Sequence, residues 1–452
     1  MNELFRIDKD KPITEKVVEE FLIKNISLNT KHYEKMKNAY ENDYDIFHLP
    51  KKAKGKPDNR IAVNFAKYIT DTMNGFFLGI PVKYDSKDEK IKNELEFFNA
   101  FNSIEDHDAE LSKICSIYGR AYEIYFVDDD GNLGIKEIPP SEAFMIYDNS
   151  ILTRSKAFVR YYKDEEGKIC GSVSDDTKIT YFKYTDKVEF VYEKDKKEGT
   201  QHGFHGVPAV EYVENKERMG IYESALSMVN EFNKAISEKA NDVDYFADAY
   251  MKVIGPKLDE SSLSVIRDNR IINFEGDDKV VVDFMAKPNA DTTQENLINR
   301  LERLIFITSM VANVSDEQFA TSSGIALKYR LLAMNNLAKT KERKFVAGFN
   351  KRYKLLFSNP IFKGNKDDWM KITYQFTRNY PVNLADEVET ASKMSGVTSK
   401  RTQLSVISAV KNVDDEFKLI EEEQDLSSLK IDYPTERTAE DWVIGKFASK
   451  SS

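Results

Sequence analysis

Apolar residues recur every three or four positions along three long stretches of the chain, and that spacing predicts amphipathic helices. The first stretch covers residues 222–250, where Ala225, Val229, Phe232, Ile236, Val243 and Phe246 share a face. The second follows Thr292-Thr293-Gln294-Glu295, a capping-box pattern, and carries Leu297, Leu301, Leu304, Thr308 and Val311. The third spans about 325–357. A compact segment, 251–289, separates the first two and holds strand-like Val280-Val281-Val282 between the breakers Gly255-Pro256 and Pro288-Asn289. A polar stretch, 314–324, separates the last two and predicts a flexible loop. Two long helices that bracket a small domain have to lie side by side. The apolar stripe on each then needs partners, and a ring of copies offers neighbours on both sides.

Elsewhere the pattern is mixed. The first 115 residues predict helices with loops, among them 13–22 after Pro12, 33–39, and 61–77 with Phe65, Ile69 and Met73 at helical spacing. Between them lies a basic loop, residues 51–57, and Gly79-Ile80-Pro81 ends the last helix. From about 122 to 212 the texture is that of strands. Residues 122–127 and 135–138 flank the turn Asp128-Asp129-Asp130-Gly131-Asn132 as a hairpin, and 157–162, 179–184, 188–192 and 207–212 are further strands. A β-like stretch at 372–376 precedes acidic helices over 386–423, and the tail beyond residue 426 carries little pattern. The fold class expected is α+β and mainly helical.

At 452 residues the chain should divide into two to four structural units. Its 41% hydrophobic and 12% aromatic content excludes global disorder. The net charge is -10, from 76 acidic and 66 basic residues, which argues against tight DNA binding but not against a surface along which DNA slides. Two cysteines, Cys115 and Cys170, form no Cys-x-x-Cys pair and are expected to be free, buried thiols in a reducing cytoplasm. Met1 to Arg6 carry no apolar run behind them and no stretch reaches membrane-span length, so a soluble chain without a signal peptide is expected.

Catalytic chemistry is hard to find. Gly199-Thr200-Gln201-His202-Gly203 lacks the lysine of a phosphate-binding loop. His202 and His205 lie close together, but they fit a turn better than a metal site. The triple aspartate 128–130 fails the calcium-loop pattern, because Leu133 and Pro139 stand where glycine and glutamate are needed. No enzyme activity, metal or cofactor is expected. The competing classes are a metal-dependent nuclease whose carboxylates converge only in the fold, and a scaffold or adaptor without DNA contact.

Two charge patterns carry more meaning. From 323 to 357 nine basic residues (Lys328, Arg330, Lys339, Lys341, Arg343, Lys344, Lys351, Arg352, Lys354) stand against one acidic, Glu342. They fit a solvated face or inter-subunit salt bridges, or else proximity to phosphates, with Lys328 and Arg330 nearest the polar loop. The helix 224–250 instead carries Glu231, Glu238, Asp242, Asp244 and Asp248 against Lys234 and Lys239. Facing a pore, Glu231, Glu238, Asp242 and Asp248 would form an acidic wall that repels phosphate within roughly 8 Å.

Several stretches together resemble the portal (head-tail connector) proteins of long-tailed double-stranded DNA bacteriophages. They are residues 57–65 (Pro-Asp-Asn-Arg-Ile-Ala-Val-Asn-Phe), 75–82, 205–212 (His-Gly-Val-Pro-Ala-Val-Glu-Tyr), Glu231-Phe232-Asn233-Lys234, 246–250 and 322–329. Their order and spacing over about residues 13–425 carry the likeness. The resemblance implies a ring, typically of twelve subunits, at one capsid vertex, made in the host cytoplasm and built into the virion. It implies a wing (1–222 and 325–385), stem helices (223–250 and 290–313), a small α/β clip (251–289), a tunnel loop (314–324), a helical crown (386–428) and a tail (429–452). Implied partners are other copies of the chain, double-stranded DNA, the terminase large subunit, a head-completion or adaptor protein, and the scaffold and major capsid proteins. No membrane partner is implied. Within the loop, Ser315, Thr321, Ser322 and Ser323 offer hydroxyls to phosphates, with Gln318 beside them. Phe319 could wedge against DNA or a neighbour, while Asp316 and Glu317 would weaken a phosphate grip. An exposed connector between helices is the plainer alternative.

Overall fold

A computed structural model describes residues 4–53, 56–192, 198–247, 251–255, 271–275, 281–284, 291–315, 327, 329–379, 384–407, 409–410 and 412–428. It is α+β and divides into two compact units, Met1–Asn379 and Tyr380–Ser452. In the first, strand β1 (Phe5–Ile7) leads to helices α1 (Glu15–Leu28) and α2 (Glu34–Tyr40), joined by a π-helical turn over Asn29–Tyr33. Then come α3 (Phe65–Leu78), β2 (Lys83–Ser86), α4 (Glu89–Phe101) and α5 (Ile104–Tyr118). Nine strands follow: β3 (Arg120–Val127), β4 (Leu133–Ile138), β5 (Ala143–Asp148), β6 (Ser155–Lys163), β7 (Ile169–Ser174), β8 (Lys178–Tyr184), β9 (Val188–Val191), β10 (Thr200–Gln201) and β11 (Ala209–Val213). Helix α6 (Leu226–Ala247) enters the strands β12 (Met251–Gly255), β13 (Ile271–Glu275) and β14 (Val281–Phe284), and α7 (Asp291–Ser309) leaves them. Helix α8 (Leu332–Leu356) and β15 (Ile372–Gln375) complete the unit. The second unit holds α9 (Leu384–Lys393), α10 (Lys400–Ser405) and α11 (Val413–Ser428), which pack consecutively.

Layering in the first unit follows from side-chain alternation in β5 and β6. Phe144, Ile146, Ala157, Val159 and Tyr161 face α1, where they meet Val17, Val18, Phe21 and Leu22. Met145, Tyr147 and Phe158 face the other way, onto Tyr122 and Ile138 of the three-stranded sheet β11-β3-β4. That sheet is covered in turn by α5 and α8. Because β5 is buried on both faces, its sequence is a continuous apolar run without the in–out alternation of a half-buried strand. The free edge of β9 is closed by α1: Glu19 accepts from the Val188 amide at 2.9 Å and Glu15 from the Phe190 amide at 2.7 Å.

The predicted hairpin at 122–138 forms as β3 and β4, its turn held by Asp128, which accepts from the amides of Asp130 and Asn132 at 3.1 and 2.6 Å. Two expectations need correction. The helix expected from residue 61 begins at Phe65, because 57–64 forms no helix and the amides of Asn59, Ile61 and Val63 bond to side chains of α6 instead. The capping box at Thr292 does not form. The helix already includes Asp291, and Glu295 is drawn to Lys239 of α6 instead.

Candidate functional site

Helices α6 and α7 run antiparallel. Near the three-stranded sheet β13-β12-β14, Lys239 pairs with Glu295, and Gln294 donates to Asp242 at 2.9 Å. At the far end Phe65 stands edge-on to both Phe232 of α6 and Phe306 of α7, at 4.9 and 5.7 Å. A helical hairpin thus carries a small sheet at its tip. Helix α7 buries Ile298, Ile305 and Ser309 and leaves Leu297, Leu304 and Ile307 exposed. At 100° per residue these three fall within about 80° of one another, a coherent apolar face.

The four acids expected to line a channel do not all behave as free charges. Ser227, Glu231, Lys234, Glu238 and Asp242 follow one another at spacings of four, three, four and four, so Glu231, Glu238 and Asp242 share a face of α6. Glu238 is held by Lys52 at 2.8 Å, Glu231 lies 3.9 Å from Lys234, and Asp242 takes the Gln294 hydrogen bond. Asp248 lies outside the described residues. The local field of this face is therefore weaker than the count of carboxylates suggests.

A second stripe on α6 has a role that periodicity alone does not reveal. Asn233, Ser237 and Asn241 are polar yet buried, four residues apart. Each accepts from one backbone amide of the segment 57–64: Val63 to Asn233 at 2.8 Å, Ile61 to Ser237 at 2.9 Å, Asn59 to Asn241 at 2.6 Å. The Ser237 hydroxyl also donates to the Ile61 carbonyl at 3.1 Å. Two residues of strand rise about 6.6 Å and four residues of helix about 6.0 Å, so the two repeats stay in step over three rungs. Asn59 and Lys52 extend the attachment to Asp244 and Glu238. Segment 57–64 is thus a strap that fastens the chain ahead of α3 to α6.

Of the loop residues, Ser315 is described and exposed, its amide donating to Asn313 at 3.1 Å, and the preceding Val314 amide donates to the Tyr68 hydroxyl of α3 at 2.9 Å. Asp316, Glu317, Gln318, Phe319, Thr321, Ser322 and Ser323 lie outside the described residues, as does Lys328. Arg330 is exposed at the start of the segment leading into α8.

The basic stretch of α8 divides in two. Lys339, Arg343, Lys351 and Lys354 are exposed, but Lys341 and Arg352 are wholly buried inside the subunit, neither on a solvated face nor in reach of phosphate. The reason is position: 334, 338, 341, 345, 349, 352 and 356 form the inward stripe of the helix. Lys341 meets Glu214 at 2.7 Å and the Ser116 hydroxyl at 2.7 Å. Arg352 reaches Asp108 at 2.6 Å and Glu123 at 2.7 Å, with its guanidinium 4.6 Å from the Phe349 ring. His107 joins Glu123 to Glu137 at 2.7 and 3.0 Å. Burial pushes the Glu123 carboxyl up, but Arg352 and His107 outweigh it and hold it at about 2. Burial pushes His107 down, and Glu123 and Glu137 reverse this to about 9. The carboxylates of Asp108, Glu123 and Glu137 are therefore committed to an arginine and a histidine. Among the described residues no group of three or more His, Cys, Asp or Glu is arranged to hold a metal ion.

The remaining candidates resolve simply. His202 accepts from the Phe204 amide at 3.2 Å and meets the Asp175 carbonyl at 3.1 Å, as a turn requires. Cys115 and Cys170 are buried and free. No described helix is long and apolar enough to cross a membrane.

Comparison with known proteins places these elements in context. Residues 19–428 match the family described as phage portal protein, SPP1 Gp6-like. The portal protein of Clostridium phage phiCD119 is 23% identical over 405 residues, covering 83% of this chain and 87% of its own length. The match spans both units, from within α1 to the end of α11, and the chain belongs to the phage portal protein family, SPP1 Gp6-like.

Proposed function

We propose that the chain is one subunit of a closed homo-oligomeric ring at a capsid vertex, through which double-stranded DNA is packaged and ejected. The observation that carries the reading is the α6–α7 hairpin, tipped by a small sheet and bearing an apolar face of Leu297, Leu304 and Ile307 that the subunit leaves uncovered. In a ring the next copy covers that face. The hairpin serves as the stem, β12–β14 as the clip that docks the terminase large subunit and later the head-completion or adaptor protein, and 314–324 as the tunnel loop. The layers built from 1–222 and 325–385 form the wing, where scaffold and major capsid proteins would bind, and 386–428 the crown. Ser315, Thr321, Ser322 and Ser323 then meet DNA from the loop, with Lys328 and Arg330 at its base, and the α6 face of Glu231, Glu238 and Asp242 limits adhesion to the channel wall. Twelve copies is the expected size.

Native mass spectrometry of the purified chain, with negative-stain images of the same sample, tests this. Rings of about a dozen copies around a central hole are expected. A monomer that cuts DNA with magnesium would overturn the reading.

A further inference from the structure

Two apolar features of the first unit have no partner among the described residues. One is the turn between β5 and β6, residues 149–154, which presents a fully exposed Ile151 and a Leu152 that is 69% exposed. This turn is braced. Asp148 accepts from the Ser150 amide, the Ser150 hydroxyl and the Arg154 amide at 3.2, 2.7 and 2.8 Å. Asn149 is tied to the N-terminal segment through the Lys9 amide at 3.2 Å and Asp8 at 3.3 Å. Thr153 sits at φ +47°, where a β-branched residue is strained and glycine or asparagine is usual. A loop under no demand would relax and fold its aliphatic side chains down.

The other feature is an open groove of about 430 Å³ between the C-terminal half of α4, the β3–β4 turn and the segment after α8. Phe97, Phe98, Phe101, Leu133, Ile361 and Phe362 line it, and Phe97 and Phe101 stack with centroids 6.1 Å apart while remaining 60% and 46% exposed. Its surroundings are mainly acidic: Glu94 lines it together with Lys363, and Asp129 and Asp130 are exposed in the adjoining turn. Beside the Ile151 turn the exposed charges are Arg6, Lys9, Lys11 and Arg154 against Asp8 and Asp10, a mixed rim with a positive balance.

A subunit cannot fill its own groove. Tyr147, at the base of the protruding turn, donates to Glu211 at 2.6 Å, and Glu211 lies 3.5 Å from Arg120 at the start of β3. The groove lies at the opposite end of β3, beside Leu133, which pairs with Val127. Glu211 itself pairs with Tyr122, so five residues of strand, about 17 Å, separate the two features along β3. Different surfaces at opposite ends of one structure are what a head-to-tail interface needs, and such contacts close into rings.

We infer that the Ile151–Leu152 turn of one copy seats in the Phe97–Phe101 groove of the next copy, with Arg154 and Lys9 facing Glu94, Asp129 and Asp130. The inference rests on the ring reading above and adds the pair of surfaces that meet. The test is cross-linking of the assembled full chain with a short bis-maleimide. The double variant Ile151→Cys/Phe101→Cys should give a covalent ladder running up to the full ring. Each single variant and the unchanged chain, whose two cysteines are buried, should give none. Rings that form by native mass but yield no ladder would overturn the paired surfaces and leave the portal reading standing. Laddering by Ile151→Cys alone would replace head-to-tail contact with like-to-like contact and overturn it too. An unchanged chain that never forms rings removes the portal reading itself and this inference with it. Independently, Ile151→Asp/Leu152→Asp should raise the concentration for half-assembly by about tenfold or more. Thermal unfolding of the unassembled chain should stay unchanged, and a fall in it with assembly unaffected would count against the inference.

Discussion

Arg352 joins three elements that are distant in sequence: α8 through its own backbone, α5 through Asp108, and β3 through Glu123. Removing one partner of a buried ion pair leaves the others charged in a poor solvent, so Arg352→Met should destabilise the first unit by about 3–5 kcal/mol. The neighbouring exposed Lys351→Met should change it by less than about 0.5 kcal/mol. Guanidinium midpoints of the two variants decide the matter, and equal midpoints would show the network to be energetically neutral. The same cluster fixes a pH profile. His107 is raised from 6.5 to about 9, so the stability it contributes is complete below 6.5 and lost as pH rises through 9. Glu123 is lowered from 4.5 to about 2, so its contribution is complete above 4.5 and lost as pH falls through 2. Melting temperature should therefore plateau between about 4.5 and 6.5 and decline on both sides, and His107→Gln should flatten the alkaline limb. Lys341 and Arg352 read in the sequence as part of a basic run. Their places on the stripe with Met334, Ala338, Phe345 and Phe349 were legible by spacing, but their partners Glu214, Asp108 and Glu123 come from elsewhere in the chain and follow only from the fold.

At the scale of elements, the strap 57–64 shows how a polar residue in a helix can be structural. Ser237→Ala removes the acceptor of the Ile61 amide and the donor to its carbonyl, and an unsatisfied buried group costs about 1–3 kcal/mol. Hydrogen exchange is the direct measurement. The amides of Asn59, Ile61 and Val63 should exchange at least tenfold faster in Ser237→Ala, while those of α3 and α5 keep their rates. Unchanged exchange at Ile61 would mean that the ladder does not hold the strap. The ladder explains why the expected helix starts four residues late. Apolar Ile61 and Val63 continue the sequence pattern, but their amides are already bonded to α6. The long helices and the β3–β4 hairpin were legible because period and turn chemistry are local. Strands β5 and β7 were not, since β5 is apolar on both faces and β7 is interrupted by Gly171, whose missing side chain lets Phe182 and the Arg160 carbonyl approach. Of the stretches that carry the family likeness, 57–65 holds one side of this ladder and 231–234 supplies Asn233, one of its three helix rungs, while 205–212 runs into β11, whose Tyr212 ring lies against Gly348 of α8.

For the whole molecule, the distribution of charge matters more than its sum. The chain carries -10 overall, its wall acids on α6 are largely paired, and two of its basic residues on α8 are locked inside the subunit. In the proposed ring, DNA would meet a sparse, mixed surface with hydroxyls on a single loop, which suits sliding better than holding. Assembled rings should then bind duplex DNA without sequence preference, no tighter than roughly 10⁻⁴–10⁻⁶ M at physiological salt, and more weakly as salt rises. Fluorescence anisotropy across a salt series measures this, and nanomolar binding that ignores salt would contradict it. On that proposal, passage would depend on the loop rather than on adhesion to the wall. The residues just ahead of the loop are anchored, with the Val314 amide on Tyr68 and Val311 buried, so deletion of residues 316–322 is the direct test of the proposed loop role. The deletion should leave ring mass unchanged and impair DNA packaging in a complementation assay. Loss of the ring would instead make 314–324 an assembly element. Normal packaging would reduce it to a connector between helices, and DNA would have to be engaged elsewhere, with the exposed Lys339, Arg343, Lys351 and Lys354 of α8 the next surface to test.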